Sequence, residues 1–298
     1  MALAVAFAIL ASCGFASGNI LVGVGTQQVP APTATLLTVL SGMVLVVGLG
    51  LILNLDDIKD LSPTAMGWIV VMGIMGYPMA RLFMVTGISM VGATRAVPMA
   101  GIQPIIAFTL GILLLGERPD LLVIVGTPVI VSGLFLVVMP RPGVNTSGQG
   151  INIRRWGYVF ALSGAATFAT RDVIGRHVVS DIAAPLVSAG LALAVGGAIL
   201  TVILHRQVAR NIQVLPKSHL LICALAGLFQ GLAVASLFQA LSRAPVTVVS
   251  PVYACTPLIT LVLAAIFLKR LEAIDLLVVV GILLSVFGVA LVIWGAAG

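Results

Sequence analysis

Charged residues are scarce in this chain of 298 residues. Only 8% of the residues are Asp, Glu, Lys or Arg, whereas 60% are hydrophobic, and the mean hydropathy is +1.23. A soluble domain carries about 25% charged residues, because its surface faces water. A chain with so little charge cannot cover itself in water, but it can turn apolar side chains toward lipid. The composition therefore excludes an ordinary soluble fold and predicts an integral membrane protein.

The chain also lacks the sequence patterns of an enzyme. Its three cysteines, Cys13, Cys223 and Cys255, lie in apolar stretches without metal-binding or disulfide spacing, and the three histidines lie near loops. We see no phosphate-binding loop and no arrangement typical of nucleophilic catalysis. The sequence therefore predicts no metal, no cofactor and no enzymatic activity. Without a nucleotide-binding motif, any transport is expected to be secondary transport.

Basic residues exceed acidic ones, and the net charge is +6. In a soluble protein this excess would indicate nucleic acid as a partner. Here no basic run is interleaved with aromatic residues, so we assign the charge to loops that flank the membrane. The expected partners are membrane lipid and a small molecule. The segment Leu10-Ala11-Ser12-Cys13 resembles a lipoprotein cleavage site. A signal peptide requires a positively charged start, however, and no Lys or Arg precedes Lys59.

Long apolar runs are what the chain has in abundance. The runs are continuous, unlike the alternating strands of a membrane barrel. A spanning helix needs about 20 mostly apolar residues, and ten such segments can be marked, so the predicted class is an all-α polytopic membrane protein. The segments lie near residues 3–24, 33–53, 64–86, 95–115, 121–139, 156–178, 184–204, 218–240, 246–268 and 276–294.

The two halves of the chain are related to each other. A shift of 153 residues brings four prolines of the first half onto prolines of the second, and after a two-residue insertion Glu117 meets Glu272. A constant offset through every helical region indicates an internal duplication. We divide the chain into a first five-helix repeat at 1–139, a linker at 140–155 and a second five-helix repeat at 156–298. The paired prolines are Pro32 with Pro185, Pro63 with Pro216, Pro98 with Pro251, and Pro104 with Pro257.

The number of spans in each half sets their relative orientation. Five is odd, so the second half enters the membrane from the opposite side. The sequence therefore predicts ten transmembrane helices as two inverted repeats, an architecture of many secondary transporters.

The end of each half resembles a known family. In the first half Pro104 begins an apolar stretch that leads to Gly116-Glu117-Arg118 and then to a helix with Gly126 and Gly133; Pro257, Glu272, Gly281 and Gly288 repeat the pattern. The chain thus resembles the ten-helix EamA-type transporters of the drug/metabolite transporter superfamily over essentially its whole length. The resemblance implies metabolite transport through a cavity lined by spans other than the glycine-rich fifth and tenth. Those two spans could pack within the bundle or in a homodimer.

Ionisable residues inside spans are functional candidates, because they are costly in lipid. Arg171 and Asp172 lie in the sixth span, and Asp172 could pair with Arg176 one turn later. The functional interpretation is a substrate-binding or gating pair; the alternative is a charged cluster that reaches lipid headgroups. Asn19 occupies the position of Asp172 in the first half, where the family often carries a polar residue. We therefore assign Asn19, Arg171 and Asp172 to substrate binding.

Arg81 in the third span is a further candidate, with Tyr77 one turn earlier on the same face. Its guanidinium could bind a substrate carboxylate or phosphate through two parallel hydrogen bonds. The alternative is that it reaches along the helix to the membrane surface. Arg95 begins the fourth span and is assigned to the interface.

Four prolines interrupt the fourth and ninth spans at matching positions. Proline removes a backbone donor, so the freed carbonyls need internal or water partners, and such broken helices point to a transport site. We predict hinges there and assign Gln103 and Tyr253 beside them to substrate binding; a purely structural kink is the alternative. The hinge prolines are Pro98, Pro104, Pro251 and Pro257.

Four polar positions receive weaker assignments. Gln230 and Gln239 in the eighth span could line the cavity or join helices by hydrogen bonds. Glu117, like Glu272, could carry protons, although capping of a helix start is favoured.

The leading hypothesis is a secondary transporter of small polar metabolites, with amino acids or organic acids favoured by the intramembrane arginines. The alternatives are an exporter of drug-like or lipid-like compounds and a non-transporting membrane scaffold or enzyme. We expect a multi-pass protein of a bacterial or archaeal plasma membrane. The distribution of Lys and Arg places both termini outside, whereas the resemblance implies termini inside.

Overall fold

The computed structural model describes residues 1–59, 61–91, 99, 101–138, 151–267 and 276–297. These residues form helices joined by short turns, and no strand occurs among them. The prediction of an all-helical membrane protein is thus confirmed for the described part of the chain. Arg95, Pro98 and Glu272 lie outside it.

Eight helical elements lie among the described residues of the first half, one of them a short π-helix between α4 and α5. They are α1 Ala2–Gly25, α2 Ala31–Leu53, α3 Leu55–Lys59, α4 Pro63–Ile74, the π-helix Met75–Met79, α5 Ala80–Val91, α6 Gln103–Leu115 and α7 Leu121–Val138.

The second half contains six helices among the described residues. They are α8 Ile151–Asp181, α9 Pro185–Val214, α10 Lys217–Leu241, α11 Val246–Tyr253, α12 Thr256–Phe267 and α13 Leu276–Ala297.

Seven helical stretches of the described chain are long and apolar enough to cross a membrane, judged by length and composition. Two further apolar helices, Gln103–Leu115 and Leu121–Val137, are shorter. The helix α8 has 31 residues, but Arg171, Asp172 and other charged residues lower its hydropathy. The ten crossings therefore remain a prediction. Two predicted breaks are shorter than expected, because α8 already begins at Ile151 and α9 continues to Val214.

The extension of α9 has a simple cause. The stretch after residue 204 is polar, which favoured a loop, yet it contains no Gly or Pro before Pro216. Polar residues such as Gln and Arg are good helix formers. The extension is also anchored, since the Asn211 side chain donates a hydrogen bond to Thr33 Oγ1 at 2.9 Å.

The two halves interleave. Helix α1 packs along α10, α5 packs along α8, and α2 packs against both α9 and α10. Each of these contacts joins a helix of the first half to a helix of the second. The interior of the protein is therefore shared by both halves.

The glycine-rich helices α7 and α13 pack on each other. A methyl group on Gly133 would lie 2.5 Å from the carbonyl oxygen of Gly281, and one on Gly288 would lie 2.8 Å from the backbone nitrogen of Ile130. The missing side chains let the two backbones approach closely. Of the two predicted uses of these glycines, the structure favours packing within the bundle.

The fourth and ninth predicted spans are broken at equivalent positions. Residues 101–102 form a turn before α6, and residues 254–255 form a turn between α11 and α12. Pro104 and Pro257 lie in the first turn of the helix that follows each break, where a missing backbone donor has no cost. Pro251 lies inside α11. Their role as hinges stays a prediction.

A third helix irregularity, a π-helix, was not predicted from the sequence. The π-helix Met75–Met79 contains Pro78, and it separates α4 from α5. Proline inside a helix removes one backbone hydrogen bond, and a widened turn accommodates the loss. Tyr77 lies within this turn and Arg81 lies just after it.

Candidate functional site

Asp172 is the centre of a buried polar cluster. It lies in α8 nine residues before the helix ends at Asp181, which corresponds to about 14 Å along the axis. Its side chain is 0% exposed. Arg171 forms an ion pair with it, and Nε of Arg171 is 2.9 Å from Oδ1 of Asp172.

The second carboxylate oxygen of Asp172 accepts from two residues at the helix breaks. Gln103 Nε2 donates to Oδ2 at 3.1 Å, and the Tyr253 hydroxyl donates to the same oxygen. Gln103 also donates to the Tyr253 hydroxyl. Gln103 is the first residue of α6, and Tyr253 is the last of α11. The broken helices thus bring polar side chains from both halves to one carboxylate.

The backbone freed at the second break is satisfied inside the protein. The carbonyl oxygen of Tyr253 accepts from Ser12 Oγ at 3.1 Å and from Thr256 Oγ1 at 2.7 Å. Phe15 packs beside the Tyr253 ring, with the ring centroids 6.5 Å apart. These contacts hold the end of α11 in place, as an unwound segment at membrane depth requires.

The expected pair of Asp172 with Arg176 does not form. Arg176 instead approaches Glu117, with 3.9 Å between its Nε and Oε1 of Glu117, and it donates to the carbonyl of Leu241. Spacing of four residues brings side chains together on an isolated helix. In this bundle Arg171, and not Arg176, forms the ion pair with the Asp172 carboxylate.

Glycine on a neighbouring helix makes room for Arg171. A methyl group on Gly76 would lie 2.5 Å from Cδ of Arg171, so any larger residue would displace the side chain. The guanidinium carbon lies 5.5 Å from the centroid of the Phe168 ring. Tyr77, next to Gly76, is 3% exposed, and its hydroxyl is close enough to Arg171 and Arg81 to interact electrostatically with both.

A second polar cluster joins α5, α10 and α1. Arg81 Nη2 donates to Gln230 Oε1 at 3.3 Å, and Gln230 Nε2 is 3.5 Å from Asn19 Oδ1. Gln230 lies near the middle of α10, 13 residues after Lys217. Arg81 therefore points toward the interior of the bundle, which favours the functional interpretation over a side chain that reaches the membrane surface.

The internal repeat relates the two clusters. The offset of 153 residues pairs Asn19 with Asp172 and Tyr77 with Gln230. Asn19 faces Gln230 in one cluster, and Tyr77 lies beside the Arg171–Asp172 pair in the other. The sequence analysis gave Gln230 only a weak assignment, although its correspondence with Tyr77 in the repeat was a usable signal for its place in this cluster.

Glu117 caps a helix, but a different one from the helix that follows it. Its two carboxylate oxygens accept the backbone N–H groups of Val246 and Thr247 at 2.8 and 2.9 Å, at the start of α11. The chain reaches this position because Gly116 adopts φ of 66° at the end of α6. The favoured capping role is therefore observed between the two halves.

A polar cavity of about 250 Å³ lies at the same end of the molecule. It begins one helical turn beyond Asp172, since Arg176 is among the residues around it. Its lining residues are Leu115, Glu117, Arg176, His177, Ser180 and Asp181. The Arg176–Glu117 contact is thus part of the wall of this cavity. Gln239, the other weak candidate, accepts from Arg243 through its side-chain Oε1, outside both clusters.

These features define a polytopic helical membrane protein whose related halves share a buried polar interior. The model of the EamA-like transporter family matches residues 2–139 and 155–294. The chain therefore belongs to the EamA-like transporter family and contains two EamA repeats.

Solved structures support the fold. One of them, described only as "Crystal structure of protein", is similar over 99% of this chain and 97% of its own, with a TM-score of 0.77. The sequence identity is 20%, so the likeness concerns the fold alone. A comparison with curated proteins gives no match.

Proposed function

We propose that this protein is a secondary transporter that moves small polar metabolites across a membrane by alternating access. The observation that carries the proposal is the buried cluster of Asp172, Arg171, Gln103 and Tyr253. Buried ionisable groups in a membrane protein are costly, and they mark substrate or ion pathways. The cluster takes Gln103 from the first half and the other residues from the second, as a site between moving halves requires.

The proposed topology has ten crossings arranged as two inverted repeats. Seven candidate spans, the shorter helices α6 and α7, and the charged helix α8 together supply ten. Each half would then cross five times and insert with opposite orientation. The interleaved packing of α1 with α10 and of α5 with α8 supports two similar halves around one site.

The proposed substrates carry a carboxylate, with amino acids or organic acids favoured. Arg81 and Arg171 supply guanidinium groups, which bind carboxylates through paired hydrogen bonds. Asn19, Tyr77, Gln103 and Tyr253 supply neutral donors near them. The proposed location is the plasma membrane of a bacterium or archaeon.

Alternating access requires that one end of the site close while the other opens. The Glu117 carboxylate joins α6 to the start of α11, and Arg176 reaches the same place from α8. We assign this contact to the closed end. The turns at 101–102 and 254–255 supply the places where α6 and α12 could tilt.

The test is substrate flux in proteoliposomes. Purified protein is reconstituted into liposomes that are loaded with pooled labelled amino acids, organic acids and nucleosides. Release of the label is followed with and without a pH gradient. We expect release of one class of compound above the level of loaded liposomes without protein, and Asp172→Asn should abolish this release. Asp57→Asn, in the exposed helix α3, is the matched control. No release by folded protein would overturn the proposal, and a stability screen with lipids and drug-like cations would then address the alternative substrates.

A further inference from the structure

The polar clusters within the spans carry an excess of one positive charge among the described residues. Arg171 and Asp172 neutralise each other as an ion pair. Arg81 contacts Gln230, which is neutral, and no described carboxylate forms an ion pair with it. The remaining described acidic residues lie at helix ends or in loops: Asp56, Asp57, Glu117, Asp120 and Asp181.

The carboxylate of Asp172 has no capacity left for a substrate ammonium group. An ionised carboxylate offers about four lone-pair positions. Arg171 donates to Oδ1 through two nitrogens, and Gln103 and Tyr253 donate to Oδ2. The group is also fully buried. A substrate cation would therefore have to displace one of these four donors.

The donors around Arg81, by contrast, are accessible. Arg81 is half-buried and Asn19 is exposed, and both lie within candidate membrane spans. The guanidinium has five N–H donors, and only Nη2 is engaged in a hydrogen bond, with Gln230 at 3.3 Å. The remaining donors can bind a carboxylate through two parallel bonds. Asn19 and Gln230 flank the same place, 3.5 Å from each other.

We propose that the transported species carries one net negative charge and that its carboxylate binds at Arg81, with Gln230 and Asn19 as neighbouring hydrogen-bond partners. Such a ligand supplies the charge that the interior lacks, and it needs no acceptor for an ammonium group. A cation without a counter-charge is unfavourable within a membrane span, so an anion gains more from this site than a zwitterion of the same shape. The inference deepens the proposed transport function and rests on it.

Compounds that share one side chain and differ in net charge provide the test. Leucine is a zwitterion, 4-methyl-2-oxopentanoate is its anionic 2-oxo acid, and isopentylamine is its cationic amine. The alanine, pyruvate and ethylamine set and the phenylalanine, phenylpyruvate and phenethylamine set extend the range of sizes. Flux in proteoliposomes and ligand-dependent thermal stabilisation are measured for each compound. The anion of at least one set should be transported about 10-fold faster than its zwitterion, because the ammonium group of the zwitterion finds no free acceptor and offsets the charge that would compensate Arg81.

Two variants examine the role of Arg81, and a third serves as their control. Arg81→Gln should lower flux of the anion about 10- to 100-fold, and Arg81→Lys should retain part of it, because it keeps the charge but not the paired donors. Arg243→Gln, an exposed arginine at the end of α10, is the matched control and should leave flux unchanged.

Gln230→Glu keeps the test valid if the arginine variants fail to fold. It places a carboxylate beside Arg81, so the protein itself supplies the missing charge. We expect a higher melting temperature and loss of anion flux. Wild-type anion flux in this variant would overturn the proposal.

The outcomes separate the inference from the transport function. Transport of a zwitterion, amine or nucleoside in preference to every anion would overturn the anion assignment and leave the transporter proposal standing. No flux and no stabilisation by any compound, with folded protein, would overturn both.

Discussion

Asp172 is the residue whose loss should have the largest effect. It compensates the charge of Arg171, which is 5% exposed, and it accepts from Gln103 and Tyr253. Asp172→Asn leaves Arg171 without a counter-charge, and breaking a buried pair in this way costs about 3–5 kcal/mol. We expect a lower melting temperature in detergent as well as loss of flux.

A double variant separates stability from function at this site. Replacing Arg171 and Asp172 together with Met and Leu removes both charges, and such replacements are often neutral or stabilising. The double variant should therefore recover much of the melting temperature without recovering flux. A double variant that transports at the wild-type rate would show that the ion pair has no part in transport.

Which polar residues lie between the packed helices was more predictable than which partners they have. The rarity of charge inside apolar spans identified Asp172 and Arg81, because such residues are costly in lipid. The partner of Asp172 was predicted wrongly. Helical spacing suggested Arg176, but Gly76 on a neighbouring helix leaves room for Arg171 to reach the carboxylate. Contacts between distant segments decide such choices, and no local pattern records them.

At the scale of helices, Glu117 links the end of α6 to the start of α11. Glu117→Ala removes acceptors for the N–H groups of Val246 and Thr247, and loss of a cap costs about 0.5–2 kcal/mol. We expect a lower melting temperature of this size. Glu117→Gln keeps one acceptor and should lose less.

Transport by these two variants separates a structural cap from a gate. If the contact closes one end of the site, Glu117→Ala should change the rate of flux by more than its effect on stability explains. A flux unchanged per folded molecule would restrict Glu117 to a structural role.

The contact between α7 and α13 gives a second prediction at this scale. Gly133→Leu places a side chain against the backbone of Gly281, and overpacking of this kind costs about 1–3 kcal/mol. We expect a lower melting temperature and an unchanged oligomeric state. Gly48→Leu on α2 is the control, because nothing lies within 4 Å of a methyl group added there. Equal melting temperatures for the two variants would contradict this packing.

Helix breaks were predictable where proline recurs with the repeat. The paired prolines indicated interruptions in the fourth and ninth spans, and the turns at 101–102 and 254–255 lie there. The π-helix around Pro78 was missed, because position 231 in the second half is Gly and the comparison of halves therefore gave no matching proline. Proline without a repeat partner carried too little signal.

For the whole molecule, the constant offset of 153 residues indicated two related halves, and the family match agrees. The offset says which positions correspond, but not which helices touch. The interleaving of α1 with α10 and of α5 with α8 follows from long-range packing. Because of this interleaving, helices of both halves surround the interior.

The proposed topology makes a prediction about sidedness. An even number of crossings places both termini on one side of the membrane, and five crossings per half place the segment 139–150 on the other. Reporter domains fused at the C-terminus and inserted in that segment should report opposite sides. The distribution of Lys and Arg favours termini outside. Reporters on the same side would contradict the inverted arrangement.

The most direct test of the central claim compares flux through wild-type protein with flux through Asp172→Asn in the same liposomes. The central claim is that the buried cluster shared by the two halves lies on the substrate pathway. The account predicts release of a pooled metabolite class by wild-type protein, and release at the level of empty liposomes by an equal amount of folded variant. Equal flux through both proteins would contradict it.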